Sequence, residues 1–199
     1  GMIIISVDSV KPEQYQKTRG ISLDPVLEGI EALLELKEDC PIITVTSVVN
    51  RHNISDIEST IAYFAERNIG VELCPYHHNG RWEDDFLSPD DEDEYLSIIK
   101  VLSKIKKSNG GIINSQEYLE NFVDFTFKKR SVPPNFCCYA GYTSIYIDSM
   151  LNVRSCWSQG LPIAGNLYKD KLSFLLENNK MTKMRNKIKK LQCERCWLL

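Results

Sequence analysis

Seven cysteines stand in 199 residues: Cys40, Cys74, Cys137, Cys138, Cys156, Cys193 and Cys196. Cys193 and Cys196 form a Cys-x-x-Cys, a turn that presents two thiolates to one metal centre. Cys138 and Cys156 flank a predicted hairpin and can complete a set of four, the ligand count of tetrahedral zinc or an iron–sulfur cluster. Cys137 neighbours Cys138. Strand alternation points the two in opposite directions, so only one of them need be a ligand. Cys40 and Cys74 sit singly in or beside predicted strands and read as small buried hydrophobes. Clustered thiols without an export signal point to a reducing, cytoplasmic setting, where they bind metal more often than they pair.

Two other chemistries are open to these residues. Asp8, Glu72, His52, His77 and His78 are acid/base or ligand types, so a metal-dependent hydrolase or isomerase on a barrel-like sheet is one. Adjacent residues seldom face one ion, and His77-His78 fall in a polar loop, so these two read as solvated. The other is a zinc-stabilised binding module without catalysis. The acidic runs near residues 83–85 and 90–94, and the lysines from 180 to 190, read as solvated faces. Acidic residues also suit a helix N-terminus.

The composition is 43% apolar and 26% charged, with a net charge of −3. It excludes disordered and collagen-like classes and argues against a nucleic-acid surface. No apolar run approaches a membrane span, and the run over residues 2–7 is too short for a signal peptide.

The elements that position these groups alternate in type. Apolar strands are predicted over residues 2–8, 42–49 and 71–74, the first two ending in polar residues at Ser6, Asp8 and Ser9 and at Asn50. Residues 11–20 read as a turn or short helix. Helices follow the strands. One is capped by Asp24-Pro25 with Val26, Leu27 and Ile30 inward, and one opens with a capping box at residues 55–58. Another carries Tyr95, Ile99 and Leu102, and a short one spans 116–127. Such βαβ order means a parallel sheet covered by helices, and an open three-strand sheet needs something against its edge. Beyond residue 131 a hairpin, with strands at 142–147 and 151–154, precedes a helix from about 170 to 190. The expected fold is therefore α/β: a partial (β/α) barrel of about three βα units over residues 2–130, followed by a small Cys-rich hairpin-plus-helix module over 131–199.

The stretches Ile5-Ser6-Val7-Asp8-Ser9 with Arg19-Gly20, Val48-Val49-Asn50, Cys138-Tyr139-Ala140-Gly141, Val153-Arg154-Ser155-Cys156, Gly165-Asn166-Leu167 and Cys193-x-x-Cys196-Trp197 occur in a telling order. That order resembles radical S-adenosylmethionine (radical SAM) enzymes with a C-terminal SPASM or twitch extension. The resemblance implies that Cys138, Cys156, Cys193 and Cys196 hold one auxiliary [4Fe–4S] cluster, with zinc as the alternative. The single-cluster twitch type fits better than full SPASM, whose further cysteines are missing. It also implies that Ser6, Asp8 and Asn50 lie toward bound S-adenosylmethionine, and that the reaction abstracts hydrogen from a peptide or small molecule. The family's Cys-x3-Cys-x2-Cys and its glycine-rich segment are absent. The chain is thus expected to begin at the fourth barrel strand and to be inactive alone. Its partner would be the missing N-terminal barrel half, which S-adenosylmethionine chemistry requires, or an oligomeric neighbour at the sheet edge. Leu151-Asn152 replaces the glycine usual in the hairpin turn, and Asn152 is expected to take the left-handed conformation.

Overall fold

The computed structural model describes residues 1–76, 92–127, 138–156 and 161–190. The chain divides into two compact units, Gly1–Arg130 and Ser131–Leu199. Among the described residues no helix is long and apolar enough to cross a membrane.

The first unit is built on three parallel strands in the order β1 (Met2–Ser6), β2 (Ile42–Val49) and β3 (Gly70–Pro75). The β-branched runs that predict these strands form them, because such side chains pack well on a pleated surface. Register aligns Ser6 with Thr46 and Thr46 with Glu72, so side-chain alternation sorts the sheet into two faces. One face carries Val45, Val49, Val71 and Leu73, all fully buried beneath helices. The other carries Met2, Ile4 and Ile42, which are 62%, 56% and 69% exposed. The first strand is therefore not buried as its apolar run predicts. No described element covers its second face.

The helices are α1 (Pro12–Arg19), α2 (Asp24–Leu34), α3 (Ile57–Ala65), α4 (Glu92–Lys107), α5 (Gln116–Glu120) and α6 (Phe122–Thr126). Gly20, at φ 71°, ends α1 in the left-handed conformation that glycine adopts without penalty. Three local expectations are corrected. Leu23, not Asp24, caps α2, and Asp24-Pro25 form its first turn. The capping box at 55–58 does not form. Asp56, not Ser55, occupies the cap position, and its side chain makes no bond to the helix backbone; its carboxylate takes the ammonium of Lys11. The helix predicted over 116–127 is two helices, parted at Asn121, whose side-chain amide donates back to the Glu117 carbonyl at 2.8 Å.

The outer edge of β3 is covered. Val71 N–H donates to the Gly111 carbonyl at 2.8 Å, and Ile113 N–H donates to the Val71 carbonyl at 3.0 Å. The Asn114 side chain extends this ladder, accepting from Leu73 N–H at 2.6 Å and donating to the Leu73 carbonyl at 3.0 Å. Gly111 has φ 86°, and a Cβ there would meet the Ala65 Cβ at 2.8 Å, so only glycine lets this segment run against α3. Among the described residues no strand pairs with the outer edge of β1.

The second unit holds a three-stranded antiparallel sheet, β4 (Tyr146–Ile147), β5 (Asn152–Arg154) and β6 (Gly165–Asn166), so the predicted hairpin gains a third strand. The residue at positive φ in its turn is Leu151, at 60°, and not Asn152. The helix predicted from 170 to 190 is broken into α7 (Leu172–Glu177) and α8 (Asn179–Lys189). Asn178 breaks it. Its side-chain oxygen caps α8 through Met181 N–H at 2.9 Å, and its amide donates to the Ala164 carbonyl at 3.2 Å. Met181, Met184 and Ile188 lie buried on one face of α8, and with Val153, Leu161 and Leu175 they form this unit's core.

Candidate functional site

The C-terminal ends of β1 and β2 are tied by one buried carboxylate. Asp8, 3% exposed, accepts two hydrogen bonds from the Arg19 guanidinium, Nε to Oδ2 at 2.6 Å and Nη2 to Oδ1 at 2.8 Å. Its Oδ1 also accepts from Val48 N–H at 2.9 Å. Burial by itself would lower the Arg19 pKa, but the hydrogen bonds and charge of Asp8 outweigh it, and the pKa is raised.

Asn50 and Asn53 complete the tie. Asn53 is fully buried; its amide donates to the Asp8 carbonyl at 2.6 Å and the Val48 carbonyl at 2.8 Å, and its oxygen accepts from Asn50 N–H at 2.8 Å. Asn50 donates to the Val48 carbonyl and accepts from His52 N–H, each at 2.9 Å. Asp8 and Asn50 thus spend their side chains fastening strand ends, while Ser6 is exposed on the open face. Of the residues this tie uses, Asn53 escapes a reading of motifs. Its signal is the Asn-x-x-Asn spacing just past a strand, which suits side-chain capping of a turn.

The open face carries a polar row across all three strands: Ser6, Thr46 and Glu72. Thr46 Oγ1 donates to Glu72 Oε2 at 3.2 Å. One step further along β3, on the same face, burial pushes the Cys74 thiol up to about 11, with the Glu72 charge adding to the shift and a hydrogen bond from Tyr118 opposing it. Cys74 is half-buried here and faces the open side of the sheet, not the packed core expected of it; Cys40 is also half-buried. The Tyr118 hydroxyl is itself pushed up, first by burial and then by Cys74 and Glu72.

Among the described residues the ligand types proposed for hydrolysis are not gathered. Asp8 is held by Arg19, Glu72 by Thr46, and His77 and His78 lie outside the described residues. Burial, then Lys17 and Arg51, hold the His52 imidazole below its usual range. Among the described residues no three His, Cys, Asp or Glu side chains form a group able to hold a metal ion.

In the second unit Cys138 and Cys156 are half-buried and pack against the same core. The chain three residues beyond Cys138 lies against the residue before Cys156: a Cβ on Gly141 would stand 2.9 Å from the Ser155 Cβ. Arg185 of α8 holds that loop, donating from Nε to the Gly141 carbonyl at 2.6 Å and from Nη1 to the Leu176 carbonyl at 2.8 Å. Ser155 is 0% exposed, and its Oγ is buried without a hydrogen-bond partner. Two half-buried thiols packed against one core are ligands of the kind a thiolate-bound metal takes. Cys137, Cys193 and Cys196 lie outside the described residues.

No protein-family model matches the sequence, and neither does any curated protein. Solved structures do match. Native anSMEcpe with bound AdoMet and Cp18Cys peptide aligns at TM-score 0.62 and 16% identity, over 97% of this chain and 54% of that one. A hexahistidine-tagged form of anSMEcpe with bound AdoMet gives 0.59 at 16% identity with the same coverage, 97% and 54%. Native anSMEcpe with bound AdoMet and Kp18Cys peptide gives 0.57 at 15% identity, again over 97% and 54%. The matched protein is an anaerobic sulfatase-maturating enzyme of the radical SAM type. This chain spans about half the length of the solved structures it matches, and over that half it has their fold.

Proposed function

We propose that this chain is the later part of a radical SAM-type maturase, acting on a peptide, with a twitch-like auxiliary cluster unit over residues 131–199. The observation that carries the reading is the fold match over 97% of the chain to an AdoMet-bound and peptide-bound enzyme. The open, apolar face at Met2, Ile4 and Ile42 supports it, since a closed barrel would use that face as its interior.

In this reading bound S-adenosylmethionine supplies the hydrogen-abstracting chemistry. The chain's own residues position it at the strand ends, where barrel sites are built. Ser6 offers a hydroxyl on the open face. Asp8, Arg19, Asn50 and Asn53 hold the two strand ends in fixed relation, so that Ser6 and Thr46 keep their spacing. Cys138, Cys156, Cys193 and Cys196 would hold the auxiliary cluster, which would supply a site for substrate or for an electron. No Cys-x3-Cys-x2-Cys occurs in the 199 residues. The chain alone therefore does not cleave the cofactor, and a further barrel segment completes the site against β1.

The test is the full chain prepared without air. The reading expects a brown protein with about four iron and four sulfide per chain, and no 5′-deoxyadenosine from S-adenosylmethionine and dithionite. A colourless protein holding one zinc would replace the cluster reading with the zinc-stabilised module. Rapid cofactor cleavage by the chain alone would overturn the divided site.

A further inference from the structure

We propose that Glu72 is a specificity-determining residue: its carboxylate, set in the open face of the first unit's sheet, takes a cationic side chain of the peptide substrate. The inference rests on the peptide-acting reading above and adds the charge of what binds.

The open face is layered, and its chemistry changes along the strands. Register places Met2 beside Ile42, then Ile4 beside Thr44, then Ser6 beside Thr46 and Glu72, then Val48 beside Cys74. Gly70 shares the layer of Thr44, and Ile113 covers it: a Cβ on Gly70 would meet the Ile113 Cγ2 at 2.5 Å. The layers at the N-terminal ends of the strands are thus mostly apolar, as in the packed floor of a barrel. The first charge comes in the layer of Glu72, toward the C-terminal ends where barrel sites are built.

That charge is unmatched. Thr46 Oγ1 donates to Glu72 Oε2 at 3.2 Å, and among the described residues no lysine, arginine or histidine pairs with Glu72. Asp8, the carboxylate at the same end of the sheet, is matched by Arg19. Cys74 and Tyr118 bring no opposite charge either. Burial first, with the Glu72 charge among the causes after it, pushes both the thiol and the hydroxyl up, so both stay neutral at pH 7.

Strand propensity does not account for a glutamate inside β3. Closing a barrel over this face would take water from the carboxylate, and with one hydroxyl donor it would be costly to bury unless a cation met it. A lysine or arginine side chain of the substrate supplies that cation through charge-assisted hydrogen bonds. An acidic side chain is repelled there, so the same residue also rejects.

The test uses the full chain prepared without air and three capped pentapeptides, Gly-Cys-Gly-X-Gly with lysine, norleucine or glutamate at X. Calorimetric titration at low salt should give the lysine peptide a dissociation constant about tenfold below that of the norleucine peptide, with the glutamate peptide weakest. Glu72→Gln should bring the lysine and norleucine peptides together while leaving the norleucine affinity unchanged. Glu72→Asp keeps the charge and should retain part of the preference. A preference for lysine that survives Glu72→Gln, equal affinity for the three peptides, or binding of none of them overturns the role of Glu72. Iron and sulfide content of the same preparation reports on the cluster reading separately, because these titrations need no metal.

Discussion

Arg19 closes on both carboxylate oxygens of Asp8, at 2.6 Å and 2.8 Å, from the last turn of the helix that follows the strand. The pair fixes the direction in which β1 leaves the sheet, because Asp8 Oδ1 also holds Val48 N–H on the neighbouring strand. Arg19→Ala leaves a buried carboxylate with one backbone donor. The expected loss is about 3 kcal/mol, in the range for breaking one side of a buried pair. Replacing both residues should cost less than the two single losses summed, and a double-mutant cycle in urea measures that coupling. Strictly additive losses would show that Arg19 acts by packing alone.

Asn114 stands in for a strand. Its side chain accepts from Leu73 N–H and donates to the Leu73 carbonyl, and Leu73 is fully buried. Asn114→Ala leaves both groups unpaired at the β3 edge, with an expected cost of about 2 kcal/mol. Hydrogen exchange locates the effect: the Leu73 amide should exchange far faster in the variant, while the Val71 amide, held by the Gly111 carbonyl, changes less. Equal protection of Leu73 in both proteins would disprove the strand-mimic role.

Much of the frame is visible in local pattern, and the site is not. The strand predicted over 42–49 forms as Ile42–Val49, because seven of its eight residues are β-branched and leave no competing period. The inner face of α3, with Ile57, Ile61 and Phe64, follows from helical spacing in the same way. The tie at Asp8 joins residues 11 and 40 positions away, and no local spacing encodes such a partner. The capping box fails by one residue: it needs Ser55 at the cap with Glu58 three residues on, and the helix starts at Ile57 with Asp56 at the cap, its carboxylate held by Lys11 from a distant part of the chain. The break at Asn178 was readable in principle, since asparagine favours helix caps over interiors. The resemblance, read from the order of short motifs, agrees with the fold of solved structures only 16% identical in sequence.

Cys74 sets a pH dependence. Burial raises its thiol from an ordinary 9.0 to about 11, helped by Glu72 and opposed by the Tyr118 hydrogen bond. The folded chain therefore keeps a proton that the unfolded chain loses. That share of stability is complete below pH 9 and is lost as pH rises through about 11. Cys74→Ala should flatten the fall in stability across this window when parent and variant are compared in urea. At pH 8 the folded chain holds about 100-fold less Cys74 thiolate than an unhindered thiol would. Alkylation by iodoacetamide, followed on the Cys74 peptide by mass spectrometry, should be slow to match. Labelling as fast as in the unfolded chain would contradict the buried, hydrogen-bonded thiol.

Leu151 carries strain that the turn around it enforces. Its φ is 60°, in a region costly for a residue with a Cβ. Asp148 imposes the shape. Its Oδ1 accepts from Met150 N–H and Asn152 N–H, each at 2.9 Å, and its carbonyl accepts from Leu151 N–H at 2.9 Å. The Leu151 carbonyl in turn receives Leu167 N–H at 3.0 Å, which fastens the chain as it leaves β6. Leu151→Gly should relieve about 1 kcal/mol of backbone strain, less whatever the half-buried side chain contributes by packing. The net outcome expected is a rise in melting temperature. The hydrogen bonds from Asn152 and Met150 hold the Asp148 carboxyl below its usual range, so the turn's share of stability is present above that range and is lost as pH falls below it, through the lowered folded value. The gain from Leu151→Gly should therefore shrink in acid, where Asp148 no longer enforces the left-handed residue. A gain of the same size at neutral and acid pH would place the strain outside the control of Asp148.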